Sequence, residues 1–151
     1  MIPNRIVIDT NVCLDLFVFR DPRWQRLLTA LQDGSIDAVT RSDCRTEWQI
    51  VLNYPHLPLD ALSRQRSSTE FDALIRCLPT LSEGGARTRL PLCRDRDDQK
   101  FLELARDAHA SMLLTKDKAL LKLAGKIRRA GLFSILTPEA WPPSAPASRQ
   151  S

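Results

Sequence analysis

The sequence predicts an α/β fold in which a parallel sheet carries helices on both faces, and three observations predict it. Short apolar runs rich in Ile, Val and Leu alternate with stretches whose apolar residues recur at helical spacing. The chain has 151 residues, 43% of them hydrophobic and 26% charged, which suits one domain with one sizeable core. Finally, carboxylates stand just beyond apolar strands, where open α/β sheets bind their ligands.

The elements follow in order. Arg5–Asp9 is the first strand, with Ile6, Val7 and Ile8 as buried residues, and Val12–Phe19 is a short helix. Asp21-Pro22 places an N-cap before Pro at the first helical position, opening a helix that Gly34 closes and whose apolar face is Trp24, Leu27, Leu28 and Leu31. Ile36–Thr40 is a second strand. Ser42 caps a helix running to about Asn53, which Tyr54-Pro55 stops. Pro58 to Leu78 reads as helical, with Phe71, Leu74, Ile75 and Leu78 on one face. Thr80 to Pro91, containing Gly84-Gly85, is a loop, and Leu90–Cys93 a short extended piece. A helix runs from Asp97 or Asp98 to His109. Ser111–Thr115 is a strand, Lys118–Ala124 a helix and Leu132–Leu136 the last strand. The domain spans residues 1–141, and the Pro/Ser/Ala-rich residues 142–151 read as a disordered tail.

Within this frame Asp9 ends the first strand, and Asp117 stands two residues after the strand that ends at Thr115. Glu47 borders the helical stripe Cys44, Trp48, Val51 and Leu52. Asp98 precedes Phe101 by three residues and Ala105 by seven, on the side of the stripe Phe101, Leu104, Ala105 and Ala108; Asp97 flanks it from the other side, and periodicity does not choose between them. Taken singly, each acid has an ordinary reading as a cap, a turn residue or a solvated helix position. Converging at one sheet edge, four carboxylates would repel one another strongly unless cations held them. A set of oxygen ligands without His or Cys suits Mg²⁺ or Mn²⁺.

Composition narrows the classes. The net charge of +4 is compatible with a polyanionic partner. Cys13, Cys44, Cys77 and Cys93 are scattered, form no C-x-x-C pair and sit among apolar neighbours, so they read as reduced core residues of a cytoplasmic protein. With His56 and His109 as the only histidines, a zinc site is not expected. No segment is long and apolar enough to span a bilayer.

Asp9-Thr10-Asn11 after an apolar strand, Glu47 in a mid-chain helix, Asp98-x-x-Phe101-Leu102-x-x-Ala105 and Thr115-x-Asp117 together resemble the four acidic motifs of the PIN-domain nucleases. "CRDRDDQKFLELA" (Cys93–Ala105) and "ILTPEAW" (Ile135–Trp141) resemble the branch described as toxins of bacterial toxin–antitoxin pairs. The resemblance covers about residues 4–141. Arg96 departs from a frequent Pro, and Ala119 from a frequent acid. The family implies a three-layer α/β/α domain with a central parallel sheet, and metal-dependent cleavage of RNA by an activated water. Asp9, Asp98 and Asp117 would hold Mg²⁺ or Mn²⁺ with Glu47 nearby, all four serving catalysis, while whether Asp97 or Asp95 shares the role of Asp98 stays open. Thr10, Asn11 and Thr115 have the size and polarity to orient the carboxylates. Arg94, Arg96, Lys100, Lys116 and Lys118 flank the cleft and are candidates for phosphate contacts. The implied partners are an RNA substrate, an antitoxin protein and a second copy of the chain.

Three rival readings compete. A phosphatase with an aspartyl nucleophile wants a second Asp two residues after the first, where this chain has Asn11. A non-catalytic RNA-binding module wants exposed aromatics, whereas the aromatics here fall mostly in apolar stripes. An inert interaction protein on the same fold is separated from a nuclease only by metal-dependent activity.

Overall fold

The computed structural model describes residues 1–79 and 88–143. Five strands form one parallel sheet: β1 (Ile2–Ile8), β2 (Asp37–Thr40), β3 (Ile75–Cys77), β4 (Ala110–Leu114) and β5 (Ser134–Leu136), in the spatial order β3-β2-β1-β4-β5. The helices are α1 (Thr10–Phe17), α2 (Gln25–Gln32), α3 (Ser42–Leu52), α4 (Ala61–Leu74), α5 (Gln99–Asp107), α6 (Lys118–Leu121) and α7 (Ala124–Arg129).

The alternation of side chains along β1 divides the core. Ile6 and Ile8 pack with Val12, Leu16, Phe17, Trp48 and Phe71 on one face. Val7 packs with Phe101, Leu102, Leu113, Leu120 and Ile127 on the other. The result is a three-layer α/β/α domain. On the first face Trp48 stacks on Phe71 at 4.8 Å between ring centroids, with Phe17 edge-on to both.

The order of strands places the site. The chain winds outward from β1 through β2 to β3, then returns to β1's other side with β4. The reversal lies between β1 and β4, where Ile8 pairs with Leu114, so the residues just beyond these two strands border the crevice at the carboxyl edge.

Several expectations change. The helix expected to Leu78 ends at Leu74, and Ile75–Cys77 becomes the edge strand beside β2. Parallel pairing with Ala38, Val39 and Thr40 outweighs a local pattern that fits helix equally well. Arg41, not Ser42, occupies the N-cap position of α3. The piece at Leu90–Cys93 pairs with no strand; Gln99 holds it instead, Oε1 accepting the Cys93 amide at 2.6 Å and Nε2 donating to the Pro91 carbonyl at 3.1 Å. The helix after Asp117 is followed by α7, which Ile127 anchors. Cys13, Cys44 and Cys93 are buried, but Cys77 lies exposed on β3. The loop over Thr80–Arg87 and the tail from Ser144 lie outside the described residues. Among those described, no helix is long and apolar enough to cross a membrane.

Candidate metal centre

Asp9 leaves β1 and becomes the N-cap of α1. Its Oδ1 accepts the amide N–H groups of Asn11 at 2.9 Å and Val12 at 3.3 Å. Its Oδ2 accepts the hydroxyl of Thr115, which follows β4 and is fully buried. Burial raises the pKa of Asp9; the Thr115 hydroxyl and the two amides pull against that rise, and Asp117 adds to it. Asp117 is built alike. It caps α6, accepting the Ala119 amide at 2.7 Å, and its own amide donates to Thr115 Oγ1 at 3.0 Å. Thr115 therefore joins the two strand-end acids, donating to one side chain and accepting from the other's backbone. Capping and site-building coincide here: a cap fixes a carboxylate's orientation while leaving acceptor capacity free.

The third group comes from the 3-10 turn Arg96–Asp98 before α5, capped by Asp95, which accepts the Asp97 amide at 3.0 Å. One carboxylate oxygen from each of Asp95, Asp98 and Asp117 lies within 4.8 Å of the others. Asp98 is half-buried, and its Oδ2 is enclosed without a hydrogen-bond partner. Burial pushes its carboxyl up to about 7, with the adjoining Asp117 carboxyl, close enough to share a proton, and the charges of Asp95 and Asp9 adding to the rise. Asp97 is exposed and lies outside this group.

Glu47 reaches the same edge from α3. Its two oxygens are taken, one by the Thr10 hydroxyl and the other by Lys100 Nζ at 2.6 Å. Lys100 also donates to the Asp97 carbonyl. Burial alone would lower the Lys100 pKa, but the contact with Glu47 prevails and raises it. Lys116 points away from the cluster, with Nζ 2.6 Å from Asp15 Oδ2, an oxygen that also accepts the Trp24 indole N–H at 3.3 Å. Arg94, Arg96 and Lys118 are exposed and have no carboxylate partner among the described residues. The Asn11 amide reaches Asp9; no hydrogen bond of its side chain is found among the described residues.

The donor set fits a hard divalent cation. It is all oxygen, and it includes a buried carboxylate oxygen with nothing to accept. Two ligands of Mg²⁺ at about 2.1 Å stand at most about 4.2 Å apart, so oxygens spread over up to 4.8 Å close on the ion by small rotations or bridge to it through water. Asp95, Asp98 and Asp117 would hold the ion, with Asp9 alongside and Glu47 set back behind Lys100. Sequence reasoning left Asp95 open because its place depends on a 3-10 turn seen only in the fold: on such a turn side chains at i and i+3 eclipse, so Asp95 and Asp98 share a side and Asp97 does not.

With this geometry in place, a comparison with family models matches residues 5–119 to the PIN domain, and the chain belongs to the PIN-domain family. No curated protein matches the sequence. PIN domains are generally nucleases acting on RNA. The matched span contains all four acids singled out by the sequence and ends at the start of α6.

Proposed function

We propose that this protein is a metal-dependent endoribonuclease and the toxin of a toxin–antitoxin pair, working in the cytoplasm. The observation that carries the nuclease reading is Asp98 Oδ2, a buried acceptor without a donor amid three other acids at the crevice of a PIN domain. A protein has no structural use for an acceptor so placed.

In this reading Asp95, Asp98 and Asp117 hold Mg²⁺ or Mn²⁺. The cation supplies Lewis acidity, acidifying water to a nucleophile at neutral pH and offsetting charge on the phosphodiester. Asp9, fixed by two amides and a hydroxyl near Asp98 and Asp117, would take the proton that water releases. Glu47 holds Lys100 beside the acids, where a cation offsets their mutual repulsion and faces incoming phosphate. Thr10 and Thr115 orient Glu47 and Asp9. Hydrolysis by water leaves a 5′-phosphate and a 3′-hydroxyl.

The toxin reading needs a surface for the antitoxin. Trp24 and Trp48, at 6% and 1% exposed, belong to the core and offer no such surface. Exposed apolar groups lie instead at Phe19 and Leu62, the latter lining an open groove of about 880 Å³ between the end of α1 and α4. The deciding experiment is an RNA cleavage assay with Mg²⁺, Mn²⁺ or EDTA, with Asp117→Asn as control and analysis of the product ends. Metal-dependent cleavage lost in Asp117→Asn supports the nuclease. Absent cleavage rejects it in favour of an inert PIN-like protein that binds an antitoxin or RNA, and cleavage that persists in EDTA rejects the metal dependence. Growth arrest on expression, relieved by the same substitution, tests the toxin role.

A further inference from the structure

The cations of this chain are unevenly partnered. Arg5, Arg20, Arg23, Arg41, Arg45 and Arg76 each lie against a carboxylate. Lys100 and Lys116, at the edge of the acid cluster, do so too. From Lys118 to Pro138 the sequence has no Asp or Glu, yet it holds Lys118, Lys122, Lys126, Arg128 and Arg129. All five are exposed, and none has a carboxylate partner among the described residues.

Their geometry is a stripe. Lys118, Lys122 and Lys126 are spaced i, i+4, i+8 from the start of α6, through the turn at Lys122–Leu123, into α7. The join between α6 and α7 is a two-residue turn that stays right-handed. Lys122 (φ −62°, ψ −21°) and Leu123 (φ −88°, ψ −5°) turn the chain in the same right-handed sense as the helices on either side. The Lys122 amide bonds the Lys118 carbonyl at 3.0 Å, and the Ile127 amide bonds the Leu123 carbonyl at 3.0 Å. Leu120 and Ile127, both fully buried, turn the opposite side into the core. The Arg129 guanidinium folds back over Gly125, where a Cβ would stand 3.2 Å from its Nη1, so its charge joins the stripe rather than extending past the helix end. The stripe begins beside Asp117, an acid of the proposed centre, and runs beyond Ala119, where the family match ends.

We propose that Lys118, Lys122, Lys126 and Arg129 form a track for the sugar-phosphate backbone of single-stranded RNA on one side of the scissile bond. The proposal rests on the nuclease reading and adds where its substrate lies. A helical step of four residues rises about 6 Å, comparable to the separation of successive phosphates along an extended strand, so a single line of lysines addresses a single strand. No aromatic side chain interrupts the stripe to stack on bases, so the grip is on phosphates and indifferent to sequence.

The test is the salt dependence of binding of 5′-labelled oligouridine to the full chain in EDTA, where nothing is cut. Lys122→Gln/Lys126→Gln should flatten the slope of log K against log salt by about 1.4, at about 0.7 per lost contact. The charge-matched control Arg26→Gln/Arg66→Gln, on exposed arginines outside the stripe that form no ion pair among the described residues, should keep the wild-type slope. Arg129→Gln alone should flatten it by about 0.7, which keeps the test open should the double variant fold poorly. An unchanged slope in the stripe variants, or equal flattening in the control, overturns the track. Tighter competition by duplex RNA than by the single strand overturns its single-stranded form. The two readings separate cleanly: wild type that binds with this pattern but cuts no RNA loses the nuclease reading and keeps the track. Wild type that cuts while the stripe variants bind unchanged keeps the nuclease and loses the track.

Discussion

Asp37 and Asp98 are partly buried aspartates at the two ends of one sheet, and they are settled in opposite ways. Asp37 opens β2 and sits between Arg5 at 3.0 Å and Arg76 at 2.7 Å. Burial alone would raise its pKa, but the two guanidiniums prevail and hold it below the ordinary value. Asp98, at the carboxyl edge, makes no ion pair among the described residues, stands close to Asp117, Asp95 and Asp9, and its carboxyl is raised to about 7. The first acid is complete within the fold; the second keeps a buried oxygen without a hydrogen-bond partner among the described residues. A structural charge carries its counter-charge with it, whereas a ligand-binding charge keeps the position open.

Substitutions at the two ends should therefore separate function from stability. The largest effect belongs to catalysis. Asp98→Asn and Asp117→Asn should each lower RNA cleavage by more than about 10²-fold, the upper range for losing mere outer partners of a metal. Asp37→Asn should leave cleavage per folded molecule unchanged. Single-turnover assays on the three variants check this, and a loss at Asp37 matching that at Asp98 erases the contrast.

Metal comes next. An ion that binds only the folded cluster stabilises it by about 2.7 kcal/mol at a hundredfold excess over Kd. Thermal melts with and without Mn²⁺ should show that gain in wild type and in Asp37→Asn, and little of it in Asp98→Asn. A wild-type melting temperature indifferent to millimolar Mg²⁺ and Mn²⁺ counts against the centre.

A smaller effect falls on stability at the other end of the sheet. Asp37→Asn leaves the Arg5 guanidinium, whose side chain is 19% exposed, without its counter-charge, at a cost of about 1–3 kcal/mol in urea unfolding. Asp98→Asn in the metal-free protein at pH 8 should cost nothing or stabilise, because it removes repulsion. The reverse ranking would show that Asp98 is the structural acid.

The smallest effect is on pH dependence. With a folded pKa of about 7 against an ordinary value of 3.8, Asp98 binds its proton more tightly in the native state. Its contribution to stability is thus fully present below pH 4 and lost as pH rises through 7. Solvent screening of a half-exposed group reduces this to about 1 kcal/mol. The difference in unfolding free energy between wild type and Asp98→Asn, measured without metal from pH 4 to 8, should decline across that window, and saturating Mn²⁺ should abolish the decline.

The sequence by itself determined the elements whose pattern has one physical solution. An uninterrupted Ile6–Ile8 run must be buried on both faces and so belongs inside a parallel sheet, and a carboxylate directly after it must stand at the sheet's edge. The same logic picked out Asp117, and the four-residue spacing of Phe101 and Ala105 gave α5 its inward side. Ile75 shows the limit: β3 exists only because β2 offers it a ladder, which no local pattern encodes. The choice among Asp95, Asp97 and Asp98 was likewise tertiary, since it depends on a 3-10 turn that α5 and the crevice enforce together. The tertiary structure alone decided which charges are paired. Glu47 meets Lys100 across 53 positions of chain, and Lys116 turns to Asp15, while Asp98 forms no ion pair among the described residues. Spacing along a chain fixes which side a residue faces; the charge it meets there is set by the packing of elements distant in sequence.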